Sequence, residues 1–364
     1  MELTPADSID LLHNLVDIYS PSGQEGKASA WLAEWMAAQG FHAQVDAAGN
    51  AVGTRGDGPR RILLLGHIDT FPGELEVYRE GDWLYGRGTV DAKGPLAAFV
   101  AAAAALEVPP GWQVAVVGAV EEEAATSRGA RYLLKHWPAP DMCIIGEPSG
   151  WERVTLGYKG RLLAEVRLRA AWAHSAGLAR PPAEQAVALW SQIVAFCDDY
   201  NAGRDKAFER LDPSLRHIAT RDEGAYGSVH MSLGFRLPPD MAPYALADDL
   251  SRLLRAAPIE LNFSGAEVAF RAEKNTQLVR ACLASIRGQG GQARFVVKTG
   301  TSDMNVVGPA WGCPTCAYGP GDSALDHTPD ERISLSEYWR SIEILKSALT
   351  ALIGSTDGVT YDTR

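Results

Sequence analysis

Three short apolar runs, RILLLG (61–66), QVAVVGAV (113–120) and MCIIG (142–146), each give way at once to a histidine or an acid. Such runs suit strands buried on both faces, as in a mainly parallel sheet covered by helices. Helical signals stand between them. Ile9, Leu12, Leu15, Val16 and Tyr19 follow helical spacing, and Ser22 with Glu25 predicts a capping box for a helix ending at Gly40. FHAQVDAAGNAVG reads as a hairpin, and the Ala-rich segment 95–106 and the segment 127–136 continue the alternation. The outer part is therefore expected to be α/β.

Near Gly160 the period changes. In RLLAEVRLRA, Leu162, Ala164, Val166 and Leu168 share one face and Glu165, Arg167 and Arg169 the other, the pattern of an antiparallel strand with one wet side. A helix from about 182 to 200, a strand in YGSVHMSLGFRLP, a helix near 243–256 and a strand in IELNFSGAEVAF follow. Strand, helix, strand, helix, strand makes a small α+β domain over 160–271, inserted into an outer domain of 1–159 and 272–364. After Lys274 the α/β pattern resumes with a helix, short strands at FVVK and TCAYG, and a closing helix near 334–353.

Two domains suit 364 residues, and 46% hydrophobic content supplies a core. The net charge of −11 repels phosphate backbones and argues against nucleic-acid binding. No apolar run approaches the roughly 18–20 residues that span a bilayer, and MELTPADSID carries acids where a signal peptide is basic, so no membrane and a cytoplasmic location are expected. Five cysteines make no disulfide framework, and the lone CxxC of Cys313 and Cys316 reads as small buried side chains.

Chemistry gathers in five segments: GHIDT with His67 and Asp69, GRGTVDAKG with Asp91, EEE at 121–123, GEPS with Glu147, and GPGDSALDHTPDE with His327. Singly, each has an ordinary reading: a hydrogen-bonded core histidine, an acid closing a turn, a solvated run of glutamates. Jointly, they stand at expected strand exits, where ligands bind in open α/β sheets and where an uncompensated carboxylate is costly to desolvate. A divalent cation offsets that cost. Two histidines and three carboxylates can hold two ions about 3.5–4 Å apart if one carboxylate bridges, leaving an adjacent glutamate to take a proton from an activated water.

With these motifs the chain resembles the aminoacylase, carboxypeptidase G, acetylornithine deacetylase and succinyl-diaminopimelate desuccinylase family of dinuclear zinc hydrolases. GHIDTFP, GRGTVDAKG, EEE, GEPS and DHTPDE follow the family's order and approximate spacing. The resemblance implies that His67, Asp91 and Glu147 hold one ion and Asp91, Glu123 and His327 the second. Zinc is the leading metal and cobalt an alternative. It makes Glu122 the general base and Asp69 the orienting partner of His67. Glu121 replaces the family's usual aspartate, so a register one residue away stays open, with Gly129, six residues past Glu123, favouring the register given. The peptide after Asp91 is expected to be cis.

The inserted domain resembles a ferredoxin-like lid and dimerisation domain, which implies a homodimer. In it, His174 of AWAHSAG would donate to the substrate carbonyl and Arg236 of GFRLPPD would bind the amino acid's carboxylate; outside it, Thr301 and Ser302 of GTSDMN would add backbone or hydroxyl contacts. His174 could instead cap a turn, and Arg236 could instead pair with Asp240. GYKGR and the GRGTVDAKG form are most similar to members that release lysine, and by the same chemistry ornithine, from the C-terminal glutamate side chain of an acidic amino-group carrier protein in lysine and arginine biosynthesis. Arg204, Arg210, Arg216 and Arg221 are where a basic surface for that partner would lie. Rival readings are deacylation of N-acetylornithine or N-succinyl-diaminopimelate, and a non-catalytic binding protein of the same fold.

Overall fold

Glycine stands at or near the end of each of the three apolar runs, and the structure, a computed structural model describing residues 3–172 and 180–354, gives the reason. Gly118, Gly66 and Gly146 are register partners on three adjacent parallel strands, Trp112–Ala119, Arg60–His67 and Met142–Gly146. A Cβ on Gly118 or Gly66 would stand 3.0 or 3.2 Å from the Leu96 side chain, and one on Gly146 2.9 Å from Phe99. Leu96 and Phe99 belong to the helix Lys93–Ala104, every residue of which is buried. The glycine row and the alanine run thus form one close-packed contact between helix and sheet.

The chain divides into two compact units. The first comprises Met1–Leu156, Ala272–Val296 and Val306–Arg364. Its sheet runs in the order His42–Val45, Ala51–Arg55, Trp112–Ala119, Arg60–His67, Met142–Gly146, Thr315–Ala317, Arg153–Tyr158. The central strands are parallel, and the hairpin His42–Val45 with Ala51–Arg55 joins antiparallel at one side. Ile62, Leu63, Leu64, Leu65, Val114 and Val116 are fully inaccessible, as strands buried on both faces require. Helices Pro5–Asp17 and Leu335–Gly354 pack on Lys93–Ala104. Cys316 is buried, Cys313 is partly so, and both are free thiols.

Two expectations for this unit are corrected. The helix Gly26–Ala38 has no side-chain cap: Ser22 Oγ donates to Asp69 Oδ2 at 2.7 Å instead, and Glu25 Oε1 accepts from the Gly23 and Glu121 amides at 2.8 and 3.1 Å. Tertiary partners have taken the groups that a capping box would use. Asp91 does not leave a strand of the main sheet. The strand before it, Trp83–Tyr85, belongs to a separate three-stranded sheet with Tyr78–Glu80 and Arg332–Ser334, and Asp91 is presented at the N-terminus of Lys93–Ala104.

The second unit, Gly157–Arg271 with Val297–Asn305, includes a segment that the sequence reading placed in the outer domain. Its antiparallel sheet has the order Asp212–Glu223, Tyr226–Leu237, Gly160–Ala171, Ile259–Glu267. With helices Pro182–Tyr200 and Pro243–Leu253, the chain order is βαββαβ, a ferredoxin-like arrangement. Leu162, Ala164, Val166 and Leu168 enter one core with Ile193, Phe235 and Leu250. The strand Asp212–Glu223 is absent from the sequence reading because it is an edge strand without an apolar face, its last eight residues all being exposed. Among the arginines expected to form a basic surface, Arg204 is paired with Asp240 at 2.8 Å and Arg210 stands 3.9 Å from Asp212. No helix among the described residues is long and apolar enough to cross a membrane.

Candidate metal centre

Past the glycine row, three adjacent strands of the first unit deliver their polar residues to one place. His67 ends its strand and is 1% exposed. Its Nε2 lies 3.2 Å from Asp91 Oδ1, while Asp91 Oδ2 lies 3.0 Å from His327 Nε2. His327 Nε2 is also 2.9 Å from Glu123 Oε1. Glu147 joins His67 and Asp91. Ligand atoms of His67, Asp91 and Glu147 lie within 4.8 Å of one another, as do those of Asp91, Glu123 and His327. Asp91 belongs to both groups, aiming one oxygen at each histidine. The Asp91–Ala92 peptide is cis.

Electrostatics follow from this crowding. Burial raises the Asp91 carboxyl, but hydrogen bonds from His327 and His67 outweigh it and hold it well below the ordinary range. Burial disfavours the His67 imidazolium, yet Asp69, Asp91 and the charge of Glu122 lift its pKa well above normal. Hydrogen bonds to Asp91 and Glu123 push His327 up to about 10. Glu123 is raised, chiefly by burial. Nitrogen and carboxylate donors in two groups that share one carboxylate fit two divalent cations, which would take the place of the imidazole protons.

The three consecutive glutamates point different ways. Glu121 Oε1 is 2.7 Å from Arg128 Nε, and its Oε2 accepts from Thr126 Oγ1 at 2.6 Å. Glu123 meets His327, and Glu122 lies close enough for its charge to act on His67. Their backbone is fixed by Asp69, whose carboxylate oxygens accept the Glu122 and Glu123 amides, both at 3.1 Å, besides the Ser22 hydroxyl. His67 Nδ1 is 3.0 Å from the Asp69 carbonyl and 3.4 Å from its carboxylate. Asp69 therefore orients the glutamate turn as well as the imidazole. The sequence reading found the second contact but not the first, and it gave Ser22 to a cap.

Gly129 has a physical reason to be glycine. A Cβ there would sit 2.4 Å from Asn50 Oδ1 and 2.6 Å from the Val120 nitrogen. Asn50 Oδ1 accepts the Val120 amide and Gly129 donates to Val120 O, so this contact sets the chain immediately before Glu121. Gly129→Ala is expected to cost about 1–3 kcal/mol of stability through overpacking, measured by denaturant unfolding, and to displace the glutamate turn. A wild-type unfolding midpoint would show that the backbone can yield there.

In the second unit, Arg236 is exposed and donates from Nη1 to Thr301 Oγ1 at 2.7 Å. Asp240, the alternative partner, is held by Arg204 and by the Tyr200 hydroxyl. Ser302 is 3% exposed, its Oγ accepts the Met304 amide at 3.2 Å, and its own amide donates to Asn305. It stands immediately before the helix Asp303–Trp311. His174 lies outside the described residues.

The profile of peptidase family M20/M25/M40 matches residues 63–351. A relative from Deinococcus radiodurans, named LysW-lysine hydrolase, is 45% identical over 95% of this chain and 97% of its own length. A LysW-lysine/LysW-ornithine hydrolase from Sulfurisphaera tokodaii is 29% identical over 96% of this chain and 97% of its own. Among solved structures, an M20 family metallo-carboxypeptidase from Sulfolobus solfataricus superposes with a TM-score of 0.80 at 19% identity, covering 96% of this chain and all of that one. A dinuclear metal-binding M20 peptidase from Bacillus subtilis gives 0.70 at 12% identity, over 96% and 98% of the two chains.

Proposed function

From the premise that the chain belongs to peptidase family M20/M25/M40 and is a metal-dependent hydrolase, we propose that it releases lysine, and also ornithine, from an amino-group carrier protein of the LysW kind. The observation carrying the chemistry is the Asp91 carboxylate shared between two groups of donors. His67, Asp91 and Glu147 would hold one cation, and Asp91, Glu123 and His327 the other. Zinc suits this mixed nitrogen and oxygen set, and cobalt accepts it too. When bound, two such cations would polarise a carbonyl and lower the pKa of a water.

The protein's own groups do the remaining work. Glu122, on a turn fixed by Asp69, takes the proton from the attacking water and returns it to the departing amine as the amide bond breaks. Asp69 holds the imidazole of His67 in the orientation that presents Nε2. Arg236, steadied by Thr301, is assigned the free carboxylate of the released amino acid, for which a guanidinium fork is suited, and His174 the developing oxyanion. A cytoplasmic homodimer belongs to the same reading, and light scattering checks the dimer.

The experiment is a comparison of substrates. Purified protein loaded with zinc or cobalt is given carrier-linked lysine, carrier-linked ornithine, N-acetylornithine and N-succinyl-diaminopimelate, and free amino acid is assayed. The expected result is release from the two carrier-linked substrates with far higher kcat/KM. Faster turnover of a free acylated amino acid would move the chain to that branch of the family.

A further inference from the structure

Outside the residues assigned to the cations, one buried ion pair reaches toward both sides of the site. Glu331 is 1% exposed, and its Oε1 accepts three backbone amides: Gly88 and Val90 at 3.0 Å and Asp91 at 3.1 Å. Three donors on one oxygen gather the loop that ends in Asp91. The other oxygen, Oε2, takes Arg87 Nη1 at 2.7 Å. Arg87 is itself 7% exposed, so the pair is shielded from water.

Arg87 continues the connection in the opposite direction. Its Nε donates to Gly73 O at 3.0 Å, and its guanidinium carbon stands 5.9 Å from the centre of the Phe71 ring. Phe71 stacks on His327, with ring centres 4.3 Å apart and planes inclined by 14°. His327 has a φ of 61°, a left-handed conformation uncommon for a side chain of its size, so its placement depends on such contacts. One arm from Glu331 therefore ends at Asp91 and the other at His327, neighbours within one group of donors.

We propose that Glu331 and Arg87, acting through the loop amides and through Phe71, are positioning residues of the dinuclear centre: they keep Asp91 aimed at two cations and the His327 ring turned toward one. The inference rests on the dinuclear reading above. A bridging carboxylate on an untethered loop could turn both oxygens to one cation. Three amides drawn to a single buried oxygen oppose that rotation by fixing the backbone from which Asp91 springs. Losing an outer partner of a metal ligand typically weakens binding about 10–100-fold, and that is the scale expected here.

The test uses the full chain and three variants, Glu331→Gln, Arg87→Lys and Phe71→Leu. Affinities for the two equivalents of zinc are measured by chelator competition, and the cobalt-loaded proteins are compared by visible absorption. Glu331→Gln is expected to weaken both equivalents, because Asp91 is shared. Arg87→Lys and Phe71→Leu are expected to weaken one equivalent about 10–100-fold, to alter the cobalt bands, and to lower kcat more than they raise KM. Phe71 is 41% exposed, so its variant decides the matter if Glu331→Gln does not fold. Wild-type affinities and cobalt spectra in the folded variants, even with lowered melting temperatures, would reduce the ion pair to a fold-stabilising role and overturn the proposal. Fewer than two equivalents on the wild-type chain would instead bring down the dinuclear reading, and this inference with it.

Discussion

Glu122→Gln should keep two cations per chain and lose turnover by about 10²–10⁴-fold, the range that general acid–base catalysis contributes. The amide side chain keeps the size and shape of the carboxylate but cannot accept a proton from water at neutral pH. KM should move little, because Glu122 is assigned no contact with the ground-state substrate. Metal analysis and steady-state kinetics together discriminate the roles of the consecutive glutamates. In the structure Glu121 is engaged by Arg128 and Thr126, Glu123 meets His327, and the Glu122 and Glu123 amides are pinned by Asp69. If Glu122→Gln loses a cation, Glu122 is a ligand and the turn works one residue out of register. If it retains activity within tenfold of wild type, the base lies elsewhere.

The centre was legible in the sequence because its donors stand beside features with a local signature. His67, Glu121–Glu123 and Glu147 each follow an apolar run ending in or near glycine, and the glycine row that seats Lys93–Ala104 is written in those same runs. Asp91 was found for a different reason than its true setting, since its glycine-rich loop resembles a strand exit yet leads into a helix. What stayed hidden depends on contacts distant in sequence. Ser22 lies 47 residues from Asp69, and Glu331 lies 240 residues from Asp91. Local rules gave Ser22 to a helix cap and assigned nothing to Glu331. Asp212–Glu223 was missed because an edge strand with polar faces carries no apolar alternation.

Asp91→Asn is expected to empty both cation positions, whereas His67→Ala and His327→Ala should each empty one. The asymmetry follows from the sharing: Asp91 alone belongs to both groups of donors. Asparagine keeps one oxygen of similar reach, but it is neutral, and its amide nitrogen presents hydrogens where the second cation needs a lone pair. Metal content per chain should therefore fall from two to below one, and hydrolysis to background. Stability supplies an independent reading. Cations that bind only the folded chain stabilise it by mass action, so a chelator should lower the melting temperature of the wild type and leave that of Asp91→Asn unchanged. In the metal-free proteins the variant should still melt lower. The depressed pKa of Asp91 means that its ionised form contributes stability above the ordinary carboxylate range, a contribution lost as pH falls through the folded value. Asp91→Asn removes that contribution at neutral pH, and the gap between the two metal-free proteins should narrow on acidification. A variant that still held two equivalents would mean that Asp91 is not the bridge and that the two cation positions are independent.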